Sequence, residues 1–420
     1  MINDERLTFI VIVALTILVL YTYSHLRLAR IRDVVNINIA IIILAAGLSE
    51  RMGVFKPLLP VGAQPAIARC INTAKSAGVR DVIVVTGNMR GELEAAVREI
   101  APLTHLVHNA GFNDGMFSSA CTGVGALGDD IDSFFLLPSD CCAVSPDTLV
   151  TLIRHFTDSD RASVIRSRFG DKRGHPPLIP ARYKNPLTLY KGENGLKGFL
   201  APLPTIEVEM GAPDSLLDMD TPEDYSELLG FLGLPVYPTR EQCEELFAKY
   251  DTPPDIIAHG EHVAALALKV ARLIERDGVS VSFDFTLLES ACLVHDIFRM
   301  EPDHARAGME LLLREGYPKA AVLVGDHMDL PGKTGAVGEA EHPVFIGTIS
   351  ETELLFLADK LCRRGKYAAL SDTMRDIESR FSQDPGALEG ARRRISTAQA
   401  IFNNLIASYD ISYKKLGIHT

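Results

Sequence analysis

Short unbroken apolar runs alternate with amphipathic stretches from Ile37 to Leu232, and this rhythm restricts the fold more than any other feature of the chain. IAIIILAAG (39–47), DVIVVTG (81–87), THLVHN (104–109) and SFFLLPSD (133–140) read as strands. Between them AIARCINTAKSAG, GELEAAVREIA, MFSSACTGVGAL and PDTLVTLIRHF read as helices. Val/Ile/Leu runs without alternation suit strands buried on both faces, and strands separated by helices suit parallel βαβ units. Residues 37–232 are therefore predicted to form an α/β, Rossmann-like domain with a mostly parallel sheet.

The character changes after GLPVYPTR (233–240), which has two prolines and no periodicity. HVAALALKVARLIERDG, FTLLESACLVHDI, HARAGMELLLREG, TELLFLADKLCR and ALEGARRRISTAQAIFNNLIASY space their apolar residues near i, i+3, i+4, i+7. The expectation is a linker and first helix over 233–253, then an all-α domain over 254–420, interrupted by a glycine-rich excursion from Pro331 to Gly347. With 42 Lys plus Arg against 54 Asp plus Glu, the net charge is −12, which disfavours a nucleic-acid partner. Seven cysteines in no regular framework point to reduced thiols and a cytosolic catalytic portion. Leu7 to Tyr23 carries no charge, which is about the shortest run that spans a bilayer. Arg27, Arg30 and Arg32 follow it. The positive-inside rule then predicts that residues 1–36 anchor cytoplasmic catalytic domains to the inner face of the plasma membrane, the alternatives being a buried helix or an N-terminal extension that the mature protein lacks.

The stretch IIILAAGLSERMGVFKPLLPV (41–61) begins at the end of a buried strand, where open α/β sheets bind ligands. Ala45, Ala46 and Gly47 are small and admit backbone close to a ligand; Arg51 and Lys56 supply two cations for a polyphosphate. Neither G-x-G-x-x-G nor a Walker A loop is present. The string resembles the signature L-A-[AG]-G-x-S-x-R-M-G-x-x-K-x-L-L of the MobA-like molybdenum cofactor nucleotidyltransferases. Ala46 and Gly174-His175-Pro176-Pro177 resemble the cytidylyltransferase branch. Asn109 and Gly115 to Ser119 are similar to the family's substrate and nucleotide loop, and Leu137 to Asp140 to its strand-end metal aspartate. Asp218 to Asp224 is similar to the segment with the second metal carboxylate.

Over Ile37 to Leu229 the resemblance implies transfer of a nucleotidyl group, CTP favoured, to a phosphorylated acceptor such as molybdopterin, with pyrophosphate released. It assigns Ala45, Ala46, Gly47, Arg51, Lys56, Asn109 and Ser118 to nucleotide binding, Arg51 and Lys56 also to catalysis, and Asp140 and Asp220 to Mg²⁺. Cys141 and Cys142 depart from the family's pattern. Adjacent cysteines make an awkward disulfide and two thiols are too few for structural zinc, so buried small residues are expected there.

The C-terminal half places His259, His295-Asp296 and Asp359 in helical contexts. Imidazole and carboxylate ligands together suit Fe, Mn, Zn or Mg. HGEHVAALALKVA, LVHDIFR and LADKLCR resemble the motifs of the HD-domain metal-dependent phosphohydrolases, over about Pro254 to Arg364. The resemblance makes His259, His295, Asp296 and Asp359 metal ligands and His262 a neighbour that binds nothing. His304 and His327 resemble the further ligands of binuclear members; with one metal they would instead bind substrate phosphate, and the sequence leaves one or two ions open. The implied activity is metal-dependent hydrolysis of a phosphate ester or anhydride, with Asp296 catalytic and bridging, and Arg299 facing phosphate. Lys360, Arg363 and Arg364 suit either phosphate or a helix C-terminus, and His342 either a site or solvent. Two alternatives stay open: another sugar or alcohol phosphate as acceptor, and a membrane-tethered nucleotide sensor whose second domain cleaves nothing. The acceptor, the second domain's substrate and the oligomeric state are not legible.

Overall fold

The computed structural model describes residues 37–276, 281–330, 334–335, 344–345, 348–363 and 365–418. The apolar run Leu7 to Tyr23, His342 and Arg364 lie outside the described residues. Among those described, no helix is long and apolar enough to cross a membrane. The chain divides into two compact units. Of the described residues, the first holds 37–49, Phe55–Leu58 and Ala63–Met219; the second holds Glu50–Val54, Leu59–Gly62 and those from Asp220 onward.

In the first unit the predicted strands form as β1 (Ile39–Ala45), β2 (Asp81–Thr86), β3 (His105–His108) and β4 (Ser133–Pro138). The helices between them are α1 (Ala66–Ser76), α2 (Arg90–Ile100), α3 (Met116–Gly125) and α4 (Pro146–Asp158). All seven residues of β1 are buried, as a central strand covered on both faces requires. It runs parallel to β2 on one side and to β4 on the other, so that Ile41 sits opposite both Val82 and Phe135. Three further strands complete the sheet: β5 (Val164–Phe169), β6 (Leu178–Pro180) and β7 (Thr205–Glu209). The strand order is β7-β5-β6-β4-β1-β2-β3, with Lys172–Arg173 paired to β5. Only β6 and that short strand run against the rest.

The second unit is helical, as the periodicity predicts, with additions. Its helices include α5 (Pro222–Phe231), α6 (Arg240–Lys249), α7 (Pro254–Arg276), α8 (Phe285–Val294), α9 (His304–Arg314), α10 (Pro318–Asp326), α11 (Glu351–Leu361), α12 (Leu370–Arg380) and α13 (Pro385–Tyr409). Start signals in the sequence explain several boundaries. Thr221 with Asp224, Thr239 with Gln242 and Ser350 with Glu353 form capping boxes, and Asp284 caps α8 by accepting from the Leu287 N–H at 3.0 Å. α5 packs on α10 within this unit, and the Tyr225 hydroxyl donates to the Pro60 carbonyl. Helix periodicity continues through Cys362 and Arg363, yet α11 stops at Leu361. Cys362–Arg363 instead pairs antiparallel with Lys366–Tyr367 across a turn at Gly365, whose φ of +74° suits glycine. A second two-residue ladder joins Thr334–Gly335 to Val344–Phe345, so the unit is not purely α.

Candidate functional site

Five elements of the second unit bring their polar residues together. His259 lies on α7, His295 and Asp296 follow α8, His304 opens α9, His327 follows α10 and Asp359 lies on α11. His259, His295, Asp296 and Asp359 each offer a ligand atom within 4.8 Å of the others, and Asp296, His304 and His327 do the same. Asp296 belongs to both groups through different oxygens. Its Oδ2 lies 3.5 Å from His259 Nε2 and 3.4 Å from His295 Nε2. Its Oδ1 lies 3.5 Å from His304 Nε2 and 3.7 Å from His327 Nε2. Asp359 Oδ1 closes the first group, 3.1 Å from His259 Nε2. Close backbone packing permits this: a Cβ on Gly260, beside His259, would lie 2.5 Å from the Leu293 carbonyl of α8. Glycine costs a helix about 1 kcal/mol in its interior, and here it lets α7 approach α8.

Local hydrogen bonds orient two of the imidazoles. His295 Nδ1 pairs with the Cys292 carbonyl at 2.8 Å and His327 Nδ1 with the Val324 carbonyl at 2.6 Å. A carbonyl only accepts, so each Nδ1 carries a proton and each Nε2 is the ring atom turned to the group, the orientation metal-binding histidines use. The Nε2 atoms of His295, His304 and His327 and Oδ1 of Asp296 are buried without a hydrogen-bond partner. Buried polar atoms left unpaired are costly, and a divalent cation in each group would satisfy all four. The residues present therefore fit such an ion. Burial opposes a charge on His295, but Asp296 and Asp359 outweigh it and hold the imidazole up to about 10. Burial pushes His304 and His327 down. Burial also opposes ionisation of both carboxylates. It is overcome by His295 at Asp296 and by Lys360 at Asp359, and both end well below the usual range. His262 stands in neither group; its Nδ1 pairs with the Ala258 carbonyl at 2.6 Å. Arg299 donates to Asp296, and Lys360 to Asp359 Oδ2 at 2.7 Å and the His327 carbonyl at 2.9 Å.

In the first unit the strand order reverses between β1 and β4, so their carboxyl ends flank a topological switch point. Ala45 and Ala46 are buried, while a Cβ at Gly47 would meet nothing within 4 Å. The loop after β2 packs tightly on this turn. The Asn88 N–H donates to the Ala46 carbonyl at 3.1 Å, and a Cβ on Gly87 would lie 2.7 Å from that of Ala46. Ser49 adopts the left-handed conformation and its Oγ accepts from the Lys56 N–H at 3.2 Å. Lys56, nearly buried, then extends its Nζ to Asp140 Oδ2 at 3.0 Å, joining the segments after β1 and β4. Residues 41–208 match the profile of the MobA-like NTP transferase domain.

The segment 41–208, two-fifths of the chain, is similar to a MobA-like NTP transferase domain. At the level of that family it is a nucleotidyltransferase domain. The chain is 26% identical to the molybdenum cofactor cytidylyltransferase of Escherichia coli K12 over 184 residues, 44% of this chain and 92% of the relative. Among solved structures, a nucleotidyl transferase from Methanothermobacter is similar at 26% identity, with 47% of this chain and 98% of that one covered and a TM-score of 0.41. A protein of Mycobacterium tuberculosis H37Rv is similar at 25% identity over 46% of this chain and 98% of its own, with a TM-score of 0.38; it has also been crystallised in complex with manganese.

Other predicted positions of the NTP transferase domain have distinct surroundings. Asn109 is buried and its amide is committed: Nδ2 donates to Ser118 Oγ at 2.8 Å and Ser119 Oγ at 3.0 Å, and Oδ1 accepts from the Gly111 N–H at 3.0 Å. Ser118 Oγ also donates to the Gly111 or Gly115 carbonyl at 2.9 or 2.8 Å. These two residues brace the loop before α3. Arg51 and Asp220 fall in the second unit and bond each other at 2.7 Å. Cys141 and Cys142 are buried and free. Burial pushes both thiols up, Cys142 to about 12, so neither is a thiolate at neutral pH. Asp218, quoted in its motif but given no role, acts electrostatically on Cys141, the neighbour of Asp140. Its signal was the first carboxylate of DMDTPED.

Proposed function

We propose that the protein is a bifunctional enzyme: a cytidylyltransferase of a molybdopterin-type phosphorylated acceptor, and an HD-type phosphohydrolase dependent on divalent metal. For the transferase, the supporting observation is the Lys56–Asp140 pair at the switch point. An oxygen of the acceptor's phosphate forms a bond to the α-phosphorus of CTP as the bond to the bridging oxygen breaks, and pyrophosphate leaves with that electron pair. Lys56 holds the phosphates and offsets the charge that develops on them. Asp140 is the carboxylate we assign to Mg²⁺, with Asp220 added on the resemblance of its segment alone. When bound, the ion supplies neutralisation of phosphate charge. Pyrophosphate release from CTP and from GTP, each with a molybdopterin-type acceptor, tests this reading. We expect release with CTP that Asp140→Asn abolishes while hydrolysis by the second domain persists, since separate domains fail separately. Joint loss of both activities in a folded variant would contradict two independent sites.

For the hydrolase, the support is Asp296 presenting one oxygen to each group of histidines, beside buried Nε2 atoms that nothing else satisfies. Two ions fit the donor set: His259, His295, Asp296 and Asp359 for one, and Asp296, His304 and His327 for the other. Fe, Mn, Zn or Mg all accept such ligands. When bound, the metal supplies Lewis acidity and a water of lowered pKa. Arg299 lies where it can take the phosphate.

The uncharged run Leu7 to Tyr23 extends the proposal to an N-terminal anchor. Deleting residues 1–32 should give a protein that leaves the membrane fraction and keeps both activities, because no assigned ligand lies there. A truncation that aggregates or unfolds would make the run part of a core instead.

A further inference from the structure

A cavity of about 670 Å³ opens beside the histidine–aspartate groups, and much of its wall comes from helices that supply no ligand to them. His259, His304 and Asp359 line it, so the ligand atoms and the cavity share one space. Downstream of the last ligand, α12 contributes Ile377 and Arg380, and α13 contributes Arg394 and Ile395. The volume is that of a small-molecule site. Its lining carries five cations, Arg299, Lys360, Arg363, Arg380 and Arg394, against Asp255 and Asp359.

Three of those cations are committed at short range: Arg299 to Asp296, Lys360 to Asp359 and Arg363 to Asp376. Arg380 and Arg394 are held more loosely: among the described residues their ion-pair carboxylates are Asp376 at 3.8 Å and Asp329 at 4.0 Å, beyond hydrogen-bonding distance, and Arg380 also lies over the Phe381 ring. A single scissile phosphate is served by the metal groups. Two further guanidinium forks in the same cavity call for a second anion, since that planar fork matches phosphate oxygens. Ile377 and Ile395 beside them suit a carbon skeleton between the two charged ends.

Resting on the hydrolase reading above, we infer that this cavity selects a compact organic phosphate bearing a second phosphoryl group. One group lies at the histidine–aspartate ligands and the other is held by Arg380 and Arg394. These two arginines are positioning residues that set specificity.

The test uses the full chain loaded with Mn²⁺ and two probe pairs, adenosine 3′,5′-bisphosphate against adenosine 5′-monophosphate, and fructose 1,6-bisphosphate against fructose 6-phosphate. On at least one skeleton the bisphosphate should show a KM lower by about tenfold or more, as one charge-assisted contact provides. The double variant Arg380→Gln, Arg394→Gln should bring that KM to the monophosphate's level with metal content unchanged. Arg380→Lys, Arg394→Lys, which keeps the charge, should recover part of the preference. A wild type without preference on either skeleton, or a Gln variant that keeps it, overturns the inference and leaves the hydrolase reading intact. If the wild type holds no metal and cleaves no probe, the hydrolase reading fails. Equilibrium binding of the same pairs then decides the cavity: arginine-dependent preference sustains it, and its absence overturns it.

Discussion

On the hydrolase proposal, the double variant His295→Ala, Asp296→Ala is expected to lose bound transition metal and phosphate hydrolysis together. Asp296 presents an oxygen to both groups, at 3.4 Å from His295 on one side and 3.5 Å from His304 on the other, so its removal empties both. His259 and Asp359 remain in one group and His304 and His327 in the other. Two ligands cannot complete the four to six positions that these ions take. We expect metal to fall from two ions per chain toward none, and hydrolysis to fall to background. Elemental analysis of the purified variant reads the first, and circular dichroism shows that the helices persist. His304→Ala is milder, removing one ion of two. Unchanged metal content in the double variant would remove the ligand assignment. One ion in both wild type and His304→Ala would leave a mononuclear hydrolase.

On the proposed transferase role, we expect Lys56→Ala to slow nucleotidyl transfer by about 10² to 10³ at saturating CTP, the usual cost of losing one preorganised contact to charge that develops in a transition state. Lys56 is nearly buried and its Nζ stands 3.0 Å from Asp140. The Lys56 N–H is also held by Ser49 Oγ, a backbone contact that the substitution leaves in place. The loop therefore keeps its course and the loss falls on the rate. Stopped-time assays of pyrophosphate release, with thermal unfolding as the control for folding, measure it. Equal rates in the two proteins under saturating nucleotide would end the assignment of Lys56.

Much of this architecture is legible along the chain. The runs that become β1, β2 and β4 are continuous because central parallel strands are covered on both faces, so burial leaves its mark on nearly every residue; β3, at the sheet edge, is only partly buried. The helices of the second unit announce themselves through capping residues and, as in α6, a single apolar face. The strand β6 announces nothing. It has three residues and ends in a proline, too few for any period to register, and its antiparallel course follows from its neighbours β4 and β5. The two-residue ladder that ends α11 is equally silent, because a turn at Gly365 and pairing with Lys366–Tyr367 override a helical pattern.

The residues proposed for the two sites divide in the same way. Motifs carry the identities of Lys56, Asp140, His259, His295, Asp296 and Asp359, because chemistry that needs a residue type at a fixed place on a strand end or helix leaves a short string behind. Distances between strings are another matter. Lys56 and Asp140 are 84 positions apart, and His259 and Asp359 100. That Asp296 turns its two oxygens to different histidine groups, and that Arg380 and Arg394 reach the space beside them, depend on how whole helices cross. Spacing within a helix or strand selects the face on which a side chain stands, since the repeat is local. Which faces meet is set by side-chain volumes and close approaches such as that of Gly260 to the Leu293 carbonyl, a property of packed surfaces that no local period encodes.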